Sequence, residues 1–245
     1  MPELTEEERS LVANLVALFK ERRTKLTGLL TQVEGLIQTE IQENGRLFGL
    51  VHSTKSRIKD PQHLEEKLYR KILDGKETGK PYDVTLENFF YKVNDLVGLR
   101  IMHLHPRQME LIHPIILELL KERKLELTED PAARVWDLET EKYFRNVVGL
   151  KTVHTEDKLY SSVHYVVLSN WTTKYTCEIQ VRTLADEVWG EVDHKINYPA
   201  RLDSIACTEQ IKSLAHITTS CNRLVDSIFA SHKEWDAIGN KPQRA

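Results

Sequence analysis

Between residues 6 and 41 the apolar side chains Leu11, Leu15, Leu18, Phe19, Leu26, Leu29, Leu30, Val33 and Ile37 return every three or four positions. That period predicts a long amphipathic helix, with Gly28 or Gly35 as the places where it would break. Asp60-Pro61 predicts a second helix start, a capping carboxylate followed by proline at the first helical position, and the helix runs on through Lys71. Residues 74–81 contain two glycines and a proline and read as a loop. Residues 96–102 are short and apolar enough for a buried strand, and Pro106 opens a helix reaching about residue 123 along Met109, Ile112, Ile116 and Leu119. Residues 124–158 carry only a weak strand signal around Arg134-Val135-Trp136. Two alternating stretches, 160–168 and 174–182, predict paired strands, followed by helices over 183–195 and 204–235 and a frayed tail. Mixed strands and helices in this order predict an α/β or α+β fold, a mixed sheet flanked by helices with long helices at both ends.

Composition narrows the class. At 245 residues the chain can bury a substantial core without disulfides, and its net charge of −3 speaks against coating nucleic acid by bulk charge. Cys177, Cys207 and Cys221 form no even framework and no metal-site spacing, so reduced thiols and a cytoplasmic location are expected. The acidic start and the lack of any apolar run near 20 residues predict neither a secretory signal nor a membrane anchor.

The chemistry concentrates where strand alternation sorts side chains onto faces. In 174–182 one face carries Lys174, Thr176, Glu178, Gln180 and Arg182, while Tyr175, Cys177, Ile179 and Val181 take the other. In the preceding strand Tyr160, Ser162 and His164 share a face. Paired, the two strands form either a solvated surface or the floor of a polar cleft. Arg57-Ile58-Lys59 precedes the Asp60-Pro61 helix start, with Lys67 and Lys71 behind it. This is either a phosphate cradle at a helix amino terminus or an ordinary exposed helix. Asp95 stands at the start of an otherwise apolar strand and Arg100 inside it, and strict alternation places them on opposite faces. A shared site then requires Asp95 beyond the strand end or a bulge near Gly98. The ten histidines make no metal motif, and no P-loop is present.

These pieces in this order resemble the RelA/SpoT synthetase family, whose domain has a nucleotidyltransferase-like fold. The matching stretches are Arg57-Ile58-Lys59 with Lys67, Asp95-Leu96-Val97-Gly98-Leu99-Arg100-Ile101, Tyr160-Ser161-Ser162-Val163-His164-Tyr165, and Glu178-Ile179-Gln180-Val181-Arg182-Thr183 continuing into Trp189-Gly190-Glu191-Val192-Asp193-His194-Lys195. The resemblance implies a helical segment over 1–45, a synthetase domain over 46–200 and a helix and tail over 201–245. It also implies a pyrophosphokinase that moves the β,γ-pyrophosphate of ATP to the 3′-hydroxyl of GDP or GTP, making (p)ppGpp. By that resemblance Arg57 and Arg100 sandwich adenine, and Lys59 and Lys67 hold the ATP phosphates. Asp95 binds Mg²⁺ with Glu178, which shares the metal or polarises the hydroxyl. Tyr160 stacks on guanine, His164 and Gln180 contact the acceptor, and Arg182 supports.

Three departures fall on substrate contacts: His63 where the family has serine, Leu159 where it has glycine before the tyrosine, and Glu156-Asp157-Lys158 in place of a proline-lysine-rich approach. Acceptor identity is therefore the open half, the alternative being a toxin-like relative acting on an adenine nucleotide or the tRNA 3′ end. Lys20, Arg22, Arg23 and Lys25 are candidate tRNA contacts. A non-catalytic nucleotide-binding regulator is the third reading, opposed by the retention of Asp95 and Glu178. Stand-alone relatives are often homo-oligomers, an expectation by analogy, and the net charge lends no support to a tRNA or antitoxin partner. About fifty residues precede the match, mostly one helix, so a hydrolase domain is not expected.

Overall fold

The structure, a computed structural model, describes residues 4–80, 82–156, 158–197 and 204–239. The predicted tail beyond residue 239 lies outside them. The period of residues 6–41 becomes two helices, α1 (Glu6–Glu21) and α2 (Arg23–Ile41). They part at Arg22, whose φ of −89° and ψ of 6° lie in the bridge region, and not at Gly28 or Gly35. Both glycines stay helical, and a Cβ on Gly28 would touch the Trp171 ring at 3.4 Å. Thr5 starts α1: its hydroxyl accepts from the Glu8 amide at 3.2 Å, and its own amide donates to Glu8 Oε2 at 2.7 Å.

Seven strands form one mixed sheet: β1 (Ser53–Ile58), β2 (Val97–His103), β3 (Glu126–Leu127), β4 (Ala132–Val135), β5 (Lys151–His154), β6 (Ser162–Leu168) and β7 (Thr176–Thr183). The order is β1-β2-β7-β6-β4-β5, with β3 pairing to the end of β6. β2–β7 and β4–β5 run parallel and the other pairs antiparallel. The remaining helices are α3 (Pro61–Thr78), α4 (Phe89–Lys92), α5 (Met109–Glu122), α6 (Leu138–Tyr143), α7 (Leu184–Asn197) and α8 (Ile205–Ala237).

Alternation gives the sheet two unlike faces. Leu99 and Ile101 of β2, Cys177, Ile179 and Val181 of β7, and Val163, Tyr165 and Val167 of β6 are buried with the apolar stripes of α1, α2 and α5 in one core. Each such leucine or valine contributes about 2 kcal/mol by leaving water. The opposite face is polar, as the alternation of residues 174–182 predicts, and on β6 and β7 its side chains Ser162, His164, Glu178 and Arg182 are themselves buried.

Local bounds differ from the sequence expectation in four places. Residues 74–78 continue α3, which ends at Gly79 in the left-handed region (φ 67°). A Cβ on Gly75 would come within 2.5 Å of Lys80 O, so glycine there lets the chain turn back over the helix end. β1 was not expected, because Ser-Thr-Lys-Ser-Arg-Ile shows no apolar alternation; as an edge strand it is held by backbone pairing to β2. Residues 124–158 hold three short strands, α6 and one π-helical turn over Phe144–Val148. β6 begins at Ser162 and β7 at Thr176, so Tyr160 lies in the bend before its strand and Lys174 precedes its own.

Candidate active site

Strand register assembles the polar face. Arg100 stands opposite Lys55 on one side and Gln180 on the other. The row continues from Gln180 to His164, from His164 to Ala132 and from Ala132 to Lys151. A parallel row runs Arg57, Gly98, Glu178, Val166. Directly opposed residues share a face, so these rows make much of the floor of an open cleft of about 1260 Å³. Arg57, Lys59, Lys67, Asp95, Arg100, Tyr160, His164, Glu178 and Gln180, the nine residues singled out from the sequence, all line it.

At one end Asp95 lies in the turn before β2, clear of the strand, which removes the conflict of faces with Arg100. Gly98 pairs regularly with Arg57 and Glu178, without a bulge. Asp95 Oδ2 accepts from Lys59 Nζ at 2.7 Å and Oδ1 from Lys67 Nζ at 2.6 Å. Burial alone would raise this carboxyl, but the two ammonium groups hold it well below the usual aspartate value. Burial keeps Lys59 below the ordinary lysine value despite that bond. The cradle differs from the expected one in two respects. The first free amides of α3, on Gln62 and His63, are already taken by the Asp60 carboxylate at 2.8 and 3.3 Å. Lys71 does not reach the cleft; Arg70 lines it instead. Side-chain cations, not helix amides, therefore make this end anion-attracting.

Arg100 is oriented by α7: its Nη1 donates to Glu187 Oε1 at 3.1 Å and to Glu191 Oε1 at 2.8 Å. Arg57 stands on edge strand β1, two positions from the Lys55 that opposes Arg100, exposed and with no carboxylate partner among the described residues. The two guanidinium groups thus differ in character, one held by two carboxylates and one exposed.

Further along the floor a buried chain of hydrogen bonds centres on Glu178. Its Oε1 accepts from His164 Nδ1 at 2.7 Å and its Oε2 from Gln180 Nε2 at 2.8 Å, while His164 Nε2 meets Ser162 Oγ at 2.6 Å. Burial opposes the charge on Glu178, yet the His164 bond prevails and the carboxyl falls to about 2. Beyond it, the Tyr160 ring rests over the Arg182 guanidinium, 5.1 Å from its centroid, and beside Trp189 at 5.6 Å. Arg182 is almost fully buried and paired with Glu187. Leu159 packs with Tyr160 against Trp189, Ile211 and Ala215, which gives a leucine at that position a structural use.

Sequence reasoning missed the cations at this end. Arg134 on β4 and Lys151 on β5 line the cleft with no carboxylate partner among the described residues, and Lys158 reaches Asp193 at 3.3 Å. Their strands are four residues long, too short for alternation to declare a face. Glu187 and Glu191 were likewise not singled out, since a helix position alone does not reveal a partner on the sheet.

Asp95 and Glu178 also border one small recess with Arg57, Gly98 and Arg100. With Lys59 and Lys67 turned from Asp95 to substrate phosphates, these two ionised carboxylates would suit a hard divalent cation such as Mg²⁺, which commonly takes one or two protein carboxylates and completes its shell with those phosphates. Among the described residues no group of three or more His, Cys, Asp or Glu could hold a metal unaided.

A family model described as a region found in RelA/SpoT proteins matches residues 56–203. The chain belongs to the RelA/SpoT family. Solved structures of similar fold include the small alarmone synthetase 1 from Bacillus subtilis bound to its product pppGpp, at 18% identity over 85% of this chain and 93% of that one, with a TM-score of 0.55. A GTP pyrophosphokinase family protein from Streptococcus pneumoniae matches at 18% identity, 87% and 93% coverage, and a TM-score of 0.55. The Bacillus subtilis small alarmone synthetase 1 bound to AMPCPP matches at 17% identity, 86% and 93% coverage, and a TM-score of 0.53. No match to a curated protein sequence was found. Among the described residues of this RelA/SpoT chain no helix is long and apolar enough to cross a membrane.

Proposed function

We propose that this RelA/SpoT-family chain is a pyrophosphokinase that transfers the β,γ-pyrophosphate of ATP to the 3′-hydroxyl of a guanosine nucleotide, GDP or GTP, releasing AMP. The observation that carries the reading is the single polar sheet face on which Asp95 with its two lysines, Glu178 with His164, and the stacked Tyr160 follow one another along one cleft. Membership of the family and the fold of the alarmone synthetases support pyrophosphokinase chemistry broadly.

Each part has a role that follows from its surroundings. The fixed Arg100 and the exposed Arg57 are suited to take the two faces of adenine. Lys59 and Lys67, already gathered on one carboxylate, would hold the triphosphate, and Arg70 adds a further cation on the same wall. Asp95 and Glu178 would hold Mg²⁺, which when bound neutralises charge on the phosphates. Tyr160, supported from below by Arg182, offers its free side to the acceptor base. The acceptor O3′ then forms a bond to the β-phosphorus as the bond from that phosphorus to the bridging oxygen of AMP breaks, and the hydroxyl proton leaves to solvent. Such transfers rely on positioning and charge more than on a strong base: Glu178, kept in place by His164 and Gln180, would polarise the hydroxyl. Arg134 and Lys151, without a carboxylate partner among the described residues, lie beyond His164, where the 5′ phosphates of an acceptor nucleotide would reach.

The test is transfer of label from ATP labelled at the γ position, with GDP, GTP, ADP, ATP and bulk tRNA offered separately in Mg²⁺. Label on GDP or GTP is expected. Label on tRNA alone would replace the acceptor, and label nowhere would leave a nucleotide-binding protein without this activity.

A further inference from the structure

The cleft accounts for the sheet face but not for the most buried carboxylate at its margin. Asp186, in the first turn of α7, is 3% exposed and does not line the main cleft. Its Oδ1 accepts from the backbone amide of Ser161 at 3.1 Å. Its Oδ2 accepts from Thr183 Oγ1 at 2.5 Å and from Asn222 Nδ2 of α8 at 3.0 Å. A carboxylate costs several kcal/mol to bury unless its oxygens are satisfied, and here the donors come from three separate parts of the chain.

One of those donors sits beside the acceptor platform. β6 begins only at Ser162, so Ser161 lies outside the ladder and Asp186 takes its amide. Tyr160 is thereby held on both sides in sequence: Leu159 packs against Trp189, Ile211 and Ala215, and Ser161 is tied to Asp186. Trp189 donates from Nε1 to Ile211 O at 2.9 Å, a second link from the same spot to α8.

We propose that Asp186 is a positioning residue for the acceptor: through the Ser161 amide it fixes the Tyr160 platform, and through Asn222 it makes α8 part of the acceptor site. The inference rests on the reading above that Tyr160 carries the acceptor base. It separates Asp186 from a purely structural carboxylate, because a loosened Tyr160 weakens acceptor binding far more than the ATP end, which Asp186 reaches only through its neighbour Glu187 on α7. Asparagine at position 186 keeps the oxygen facing Ser161. Its amide nitrogen can donate to Asn222 Oδ1, a buried oxygen without a hydrogen-bond partner among the described residues, once the Asn222 amide turns over.

The experiment measures KM for ATP and for the acceptor, using whichever of GDP, GTP, ADP, ATP and tRNA the wild-type protein labels, in Asp186→Ala, Asp186→Asn and Asn222→Ala. Asp186→Ala is expected to raise the acceptor KM about ten- to a hundred-fold, the loss of a charge-assisted bond, with KM for ATP changed by no more than about two-fold. Asp186→Asn should return it to within about three-fold. Asn222→Ala, which keeps the Ser161 bond and serves if Asp186→Ala does not fold, should raise it about three- to ten-fold. Equal changes in both KM values, no change in any variant, or no rescue by asparagine would overturn the inference. A wild-type protein that labels no acceptor would overturn the underlying function, and the inference with it.

Discussion

Glu178 holds two donated hydrogens, from His164 and Gln180, and its carboxyl is drawn from an ordinary 4.5 to about 2. A carboxyl lowered on folding adds stability that is complete above its unfolded value and is lost as pH falls through its folded one. For Glu178 that window runs from about 4.5 down to about 2, and the shift corresponds to on the order of 3 kcal/mol. Glu178→Gln, which resembles the protonated state, should therefore unfold more easily than wild type at neutral pH. Chemical denaturation across pH should show the gap closing between about pH 5 and pH 2; a constant gap would mean that the carboxylate is not held in this way. At neutral pH the same variant should lose transfer by about two orders of magnitude or more, while a retained circular dichroism spectrum confirms the fold.

Helix α7 ties the two ends of the cleft together. Glu187 and Glu191 orient Arg100, Glu187 also pairs with Arg182, and Gly190 leaves space for that arginine. A Cβ on Gly190 would come within 2.7 Å of Arg182 Nη1. Helix propensity alone would make Gly190→Ala stabilising by about 1 kcal/mol, but the buried guanidinium has little room to withdraw from beneath Tyr160. The expected result is an acceptor KM raised about ten-fold, equivalent to ~1.4 kcal/mol, with KM for ATP nearly unaltered. A higher melting temperature with both KM values intact would show that the arginine yields freely. The position of this helix was legible in the sequence, and the Trp189-Gly190 pair was part of the family resemblance. Its role in fixing Arg100 was not, because the contact joins residues 87 and 91 positions apart.

Across the whole molecule, legibility followed chain period and strand length. The apolar stripes of α1, α2 and α5 and the alternation of β7 could be read directly, because burial on one face imposes a period. β1 and β5 could not, since edge strands of polar residues are held by backbone pairing that leaves no pattern in side chains. The break at Arg22 escaped notice because glycine is a frequent but not an obligatory place for a helix to turn. The nine candidate residues share one cleft since the register of β2, β7 and β6 aligns them. What the sequence left open, the conflict between Asp95 and Arg100, disappears once Asp95 is seen to precede its strand.

The reaction class is tested most directly by what ATP becomes. With GDP or GTP and Mg²⁺ in excess, chromatography of the nucleotides should show AMP rising mole for mole with a product bearing two additional phosphates, and no such AMP without the acceptor. Formation of ADP in its place, or AMP released equally with the acceptor left out, would contradict pyrophosphate transfer by this cleft.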